Sequence, residues 1–159
     1  MRASALLLLL AAGPGWAEAP VFDPAPIAAC IEAGGGADCI GEAATACMEA
    51  SPGGYSTVMM NGCLDAELGW WDDLLNARYQ LAVAAARDLD AEAKRDGSGR
   101  PSSEAALRGM QRAWIAFSDA ACEYEALDWW GGTGASGAYL VCRLTLTGEQ
   151  AIRLDRAER

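Results

Sequence analysis

The chain of 159 residues contains no histidine, no Cys-x-x-Cys pair, and only 12 lysines and arginines against 22 aspartates and glutamates. The missing imidazole excludes Ser-His-Asp and Cys-His catalysis and every histidine-ligated metal site, so any catalysis would rest on carboxylate, cysteine, lysine or tyrosine. The shortage of cations leaves a net charge of -10 and a pI near 4.3. That field has the wrong sign for binding DNA or RNA through phosphates and points to a basic protein partner. Without Cys-x-x-Cys, zinc ribbons, thioredoxin-like redox chemistry and c-type haem attachment are disfavoured. The glycines at 34–36 are followed by no Gly-Lys-Ser or Gly-Lys-Thr, so they read as a helix stop and not as a phosphate loop.

Long apolar runs are absent as well. Residues 5–12 form the leucine-rich stretch nearest to one, preceded by Arg2, and it is far short of the roughly 20 residues needed to span a bilayer. With Gly13-Pro14 and small residues on either side of Trp16, it reads as a secretory signal cleaved after Ala17, with residues 18–159 forming one domain. Removing residues 1–17 takes away one basic residue and no acidic one, so the product is one unit more negative. No Leu-x-Gly-Cys precedes the first cysteine, and a soluble periplasmic or secreted product is expected. All six cysteines lie in the exported part, and an even number in an oxidising compartment favours disulfides.

Proline at 20, 24 and 26 marks an extended lead-in, with structure expected from about Ile27. A short helix around Cys30 precedes the glycines, and a second runs from Asp38, as N-cap, to about Ser51; residues 27–55 thus form a cysteine-rich extension. From Ser56 or Thr57 to about Arg95, Leu64, Leu68, Trp71, Leu75, Ala82, Ala86 and Leu89 recur at helical spacing and predict one long helix. Residues 94–101 form a turn. Ser102 or Ser103 with Glu104 then starts a helix carrying Leu107, Met110, Trp114, Phe117, Ala121 and Tyr124 along one stripe. The glycine-rich stretch 129–137 breaks it, and a last helix is expected from Ala138 to about Arg156 with Leu140, Leu144, Ala151 and Leu154 inward. No long tract alternates with period two. The expected fold is all-α: a small, disulfide-stapled helical hairpin or bundle with two long antiparallel helices and a C-terminal helix.

Cys122 ends one helix and Cys142 begins the next, so an antiparallel pair brings them together. Closing a loop of about 20 residues stabilises by roughly 3 kcal/mol in the chain-entropy account. That bridge ranks first among the 15 pairings that six cysteines allow and that the sequence alone does not resolve; Cys47 and Cys63, which flank the Pro-Gly-Gly turn in the same way, are the second choice, which would leave Cys30 for Cys39.

Among candidate groups, Glu123, Glu125 and Asp128 cluster beside Trp129 and Trp130. Two residues apart on a helix, Glu123 and Glu125 face different directions, whereas glycoside hydrolysis needs two acids across one cleft. Asp65, Asp72 and Asp73 do not form a calcium loop. No catalytic residue, metal site or cofactor is therefore assigned. Trp71 and Trp114 lie on apolar stripes and belong to the core, while Trp129 and Trp130 either anchor a partner or cap the core beneath a disulfide.

Several polar positions recur in an order that helix propensity does not require. Cys63-Leu64-Asp65 leads to Leu75-Asn76-Ala77-Arg78-Tyr79. Gln111-Arg112-Ala113-Trp114 follows with Asp119 and Cys122, then Gly131-Gly132-Thr133, and finally Cys142 with Thr147 and Leu154. This order, from Cys63 to Leu154, resembles the LprI-type lysozyme inhibitor family of small, secreted or envelope-anchored helical proteins. The resemblance implies a non-enzymatic inhibitor of c-type-like lysozyme, with Leu75, Asn76, Tyr79, Gln111, Trp114 and Asp119 packing and hydrogen-bonding between helices. The family usually carries arginine where this chain has Ser118 and again where it has Gln150, which leaves Asp119 without its family partner. The expected contact is the 129–137 turn, with Trp129, Trp130, Gly131, Gly132 and Thr133 entering a sugar-binding cleft while Glu123, Glu125 and Asp128 meet basic rim residues. The alternative is an envelope structural or interaction module without that activity; an enzyme acting on cell-wall glycan is the least favoured reading.

Overall fold

The computed structural model describes residues 19–157. The proposed signal segment lies outside them. Five α-helices follow one another: α1 (Ala25–Glu32), α2 (Glu42–Ala50), α3 (Thr57–Asp96), α4 (Ser103–Leu127) and α5 (Ala135–Ala157), with a 3-10 turn at Gly36–Cys39 between the first two. No strand occurs among the described residues, and none of their helices is long and apolar enough to cross a membrane. The 40 residues of α3 make a rod of about 60 Å, and the other elements lie against it. Helix α4 returns antiparallel to α3, and α5 runs parallel to α3, on which it packs most extensively.

Why the long rod starts and stops where it does is local. The Ser56 hydroxyl accepts the Met59 amide at the start, and Gly97 in the left-handed region ends it behind Lys94 and Arg95, which complement the negative helix end. Pro24 caps α1, and Pro26 sits in its first turn, where no backbone donor is needed. The proline lead-in therefore ends two residues earlier than the sequence suggested. Asp38 is not the cap of α2; it lies in the 3-10 turn. The residue before α2 is Gly41, at φ +95°, a conformation that disfavours any side chain.

The missing cap comes from the rod. Glu67 is wholly buried, and its carboxylate accepts the amides of Gly41 and Ala44, both at 2.6 Å, and the indole Nε1 of Trp71 at 2.9 Å. Around this cluster lie Ile27, Cys39, Cys47, Leu75, Leu144 and Leu154, all essentially inaccessible. Trp71 meets Trp70 edge to face, at 5.1 Å between ring centroids. Helix α5 approaches closely enough that a Cβ on Gly148 would stand 2.7 Å from Ile40 and 3.3 Å from Trp71.

Disulfides join Cys30 to Cys39, Cys47 to Cys63, and Cys122 to Cys142. They tie α1 to the 3-10 turn, α2 to α3, and α4 to α5. These are the pairs that helix order suggested. At the far end of the rod, Asp90 accepts the Ser102 hydroxyl and the amides of Ser103 and Glu104, so α3 also caps α4. Arg78 donates to the Ala151 carbonyl and pairs with Asp155, which fastens the last turns of α5.

Two stripes depart from expectation. Leu89 is exposed, because α5 leaves the rod near Arg78 and only the first part of α4 faces what remains. On α4 only Ser118 and Cys122 are buried, while Met110, Phe117 and Tyr124 reach solvent and Trp114 is half-buried at the core edge. The α4 stripe thus finds no complete cover within the described residues.

Replacing Glu67 by Ala would leave one buried and one part-buried amide and a buried indole N–H without their acceptor, and a loss of about 2–4 kcal/mol is expected in urea unfolding, against little change for Glu123→Ala. The Ser102 hydroxyl, and then the Ser103 amide, hold the Asp90 carboxyl below its ordinary value, and Arg87 followed by Arg108 does the same for Glu104. Both folded-state values lie below the unfolded ones, so this stabilisation is present above the ordinary carboxylate range and is lost as pH falls through the lowered values. Unfolding free energy measured against pH should fall below about pH 4, and Asp90→Asn should flatten that fall while lowering stability at neutral pH.

Candidate functional site

The end of the bundle built from the first half of α3, the last half of α4 and the first half of α5 carries almost no cation. Residues 3–77 and 113–142 contain neither lysine nor arginine. Arg143 is the cation nearest to this end, and it is spent internally: one guanidinium nitrogen donates to the Ser118 hydroxyl at 3.0 Å and to the Asp119 carboxylate. Asp119 therefore has an arginine partner after all, supplied from α5 beside the Cys122–Cys142 bridge. Gln150 is buried and donates to the Gln111 side chain at 3.0 Å, so the position where the family usually has arginine still links α4 to α5.

Where α4 stops, the chain turns through Asp128 to Gly134. The amides of Trp129 and Trp130 bond to the carbonyls of Ala126 and Leu127, and Gly132 closes on the Trp129 carbonyl at 2.8 Å. Helix α5 then starts at Ala135, three residues before the expected Ala138, because the Gly134 carbonyl accepts the Ala138 amide at 2.9 Å. The turn is correspondingly shorter, and Ser136 and Gly137 are helical. Ser136 accepts a hydrogen bond from the Asn61 side chain at 2.8 Å, which fixes the start of α5 on α3.

Glu123, Glu125, Asp128, Trp129, Trp130, Gly131, Gly132 and Thr133 all reach solvent at this end. Trp130 is 86% exposed, and Trp129 is 55% exposed. Neither caps the core, and the two differ in attachment. A Cβ on Gly134 would fall 2.3 Å from the Trp129 ring, so the indole lies flush on that glycine. Trp129, Thr133 and Glu125 also line an open groove of about 940 Å³ with Met60, Leu64 and Val141. The acids do not converge on one cleft: of Glu123, Glu125 and Asp128, only Glu125 lines the groove.

The motif residues divide differently from expectation. Leu75 is core. Asn76 is exposed and bonds to Asp72 one turn earlier on the same helix, so it forms no interhelical bond. Tyr79 is half-buried beside Arg108, whose guanidinium is held mainly by Glu104. Gln111 and Asp119 do bridge helices. Sequence reading missed Glu67 and Arg143. The signal for Glu67 is a carboxylate among the inward positions 64, 68, 71 and 75; the signal for Arg143 is a cation next to a bridged cysteine, opposite Asp119.

Gly134→Ala is expected to lift the Trp129 ring and raise the fraction of tryptophan emission quenched by acrylamide. The same change in a Trp129→Phe background should leave quenching unaltered.

The family described as Lysozyme inhibitor LprI matches residues 47–154. The match begins earlier than the expected Cys63 and includes the Cys47–Cys63 bridge. An uncharacterized 17.7 kDa protein in the puhA 5′ region of Rhodobacter capsulatus is 28% identical over 124 residues, covering 75% of this chain and 74% of its own. An uncharacterized protein of Rhizobium meliloti is 30% identical over 99 residues, covering 62% of this chain and 71% of its own. No solved structure matches the chain. The helical fold, the bridged cysteines and the extent of the family match agree, and the chain belongs to the LprI lysozyme inhibitor family.

Proposed function

We propose that this protein is an exported, non-enzymatic inhibitor of lysozyme that acts in the periplasm or outside the cell after removal of residues 1–17. Family membership supports the activity. The observation that carries the reading is the pairing of an 86% exposed Trp130 with acids that lie in a stretch, residues 113–142, without lysine or arginine. Exposed aromatics held by short turns anchor protein interfaces, because they bury much area with few torsions to freeze. Trp129 and Trp130, with Gly131, Gly132 and Thr133, would enter the sugar-binding cleft. Glu123, Glu125 and Asp128 would meet basic residues on its rim, steering association at low salt.

The test is a lysis assay in which the oxidised protein is titrated into lysozyme at low and moderate salt, with an unrelated protein of similar acidity as control. Inhibition absent from the control and weakened by salt is expected. Trp130→Ala should raise the concentration needed for half inhibition at least tenfold, as hot-spot truncations of about 1.4 kcal/mol or more do. Inhibition equal to the control's would favour the alternative, an envelope interaction module without this activity.

A further inference from the structure

The stripe of α4 left without cover among the described residues forms one wall of a trough in two adjoining parts. Its wider part is the groove of about 940 Å³ reaching Trp129, and a second part of about 330 Å³ extends toward Met110. Phe117 and Leu146 line both, so the two parts meet there. Phe117 is 59% exposed at the junction, and Val141 stands half exposed on the facing helix. From Met110 to Glu125 the trough follows α4 for roughly 22 Å, about four helical turns. Its walls include Met48, Met60 and Met110, whose unbranched side chains repack against varied shapes.

Such an apolar trough fits the hydrophobic face of one helix, with anchors at three- and four-residue spacing. Charge selects which helix. Glu125 lines the wide part and Glu149 the narrow part, while Arg153 is the lone cation on the walls. Arg143, the cation nearest the wide end, is held by Asp119 and Ser118. A second copy of a chain with a net charge of -10 would bring like charge to this rim. We propose that the trough lined by α4 and α5, with α3 completing its wide end, binds an amphipathic helix of a partner protein whose flanks carry lysine or arginine. Phe117, Val141 and Leu146 take its apolar face, and Glu125 takes its basic flank. The inference stands on the trough alone and does not depend on lysozyme being the target.

The probe is a fluorescein-labelled, 18-residue leucine/lysine peptide that forms an amphipathic helix, added to the oxidised protein and followed by anisotropy. Its comparators are a scrambled peptide of the same composition and a leucine/glutamate version. Saturable one-to-one binding of the leucine/lysine helix is expected, at least tenfold tighter than either comparator. Phe117→Asp and Val141→Asp, each checked for helicity by circular dichroism, should each weaken it at least tenfold, and Trp130→Ala should leave it unchanged. Equal binding of the scrambled peptide would reduce the attraction to bulk charge and overturn the proposal. So would unaltered binding by both folded aspartate variants. Sedimentation as a dimer that the peptide must dissociate would make a second copy the occupant and overturn it as well.

Discussion

A single carboxylate inside the bundle settles how the amino-terminal elements meet the rod. Glu67, itself wholly buried, accepts two amides that begin α2, one of them buried and one part-buried, and the buried indole N–H of Trp71. The first turn of a helix exposes backbone donors and carries the positive end of the dipole, so a buried carboxylate there satisfies donors that would otherwise be stranded. The same contact orients Trp71, the largest fully buried side chain, against Gly148 of α5. Glu67 and Trp71 together therefore join three helices, α2 through the carboxylate and α5 through the indole. None of these partners could move independently without leaving a polar group buried and unpaired.

The principle is repeated along α3. Asp90 caps α4 from the far end of the rod, and Arg78 holds a carbonyl near the end of α5. A long helix thus supplies the acceptors that the first turns of α2 and α4 lack, and a cation to the last turns of α5. The disulfides act on the same joints from the covalent side, closing α2 on α3 and α4 on α5. Packing alone would be thin in a fold where one helix contributes only two buried residues.

That thinness has a functional face. Because α5 fills the space along α3, α4 is fastened at its start by Asp90 and Arg87 of α3 and beyond that mainly by its bridge, by Gln111 with Gln150, and by Asp119 with Arg143. Its apolar stripe is left half open to solvent, next to an acidic turn bearing two exposed tryptophans. Exposed apolar surface of this extent beside predominantly acidic charge marks an interaction surface more than a stability device.

Helix order and the bounds of the rod follow from short-range signals: apolar spacing, serine caps and glycine stops; the even cysteine count pointed to disulfides, while helix order only ranked the pairings that the fold then selected. Helix order and bounds were legible because each depends on neighbours in the chain. Such signals mislead where a long-range partner decides the outcome. Asp38 looked like a cap, yet the cap of α2 comes from Glu67, 23 residues beyond the Ala44 amide it accepts. Asp119 looked unpartnered until α5 brought Arg143 to it, 24 residues away. The regular α4 stripe predicted a core face, but periodicity states only which residues share a side and not whether another helix is available to cover it. The sequence by itself determined an acidic, histidine-free, disulfide-stapled set of helices, because composition and local spacing need no third dimension. Only the tertiary structure decided which carboxylates are buried caps, which tryptophans stand in solvent and where the open trough runs, because those depend on which helix occupies the limited space along α3.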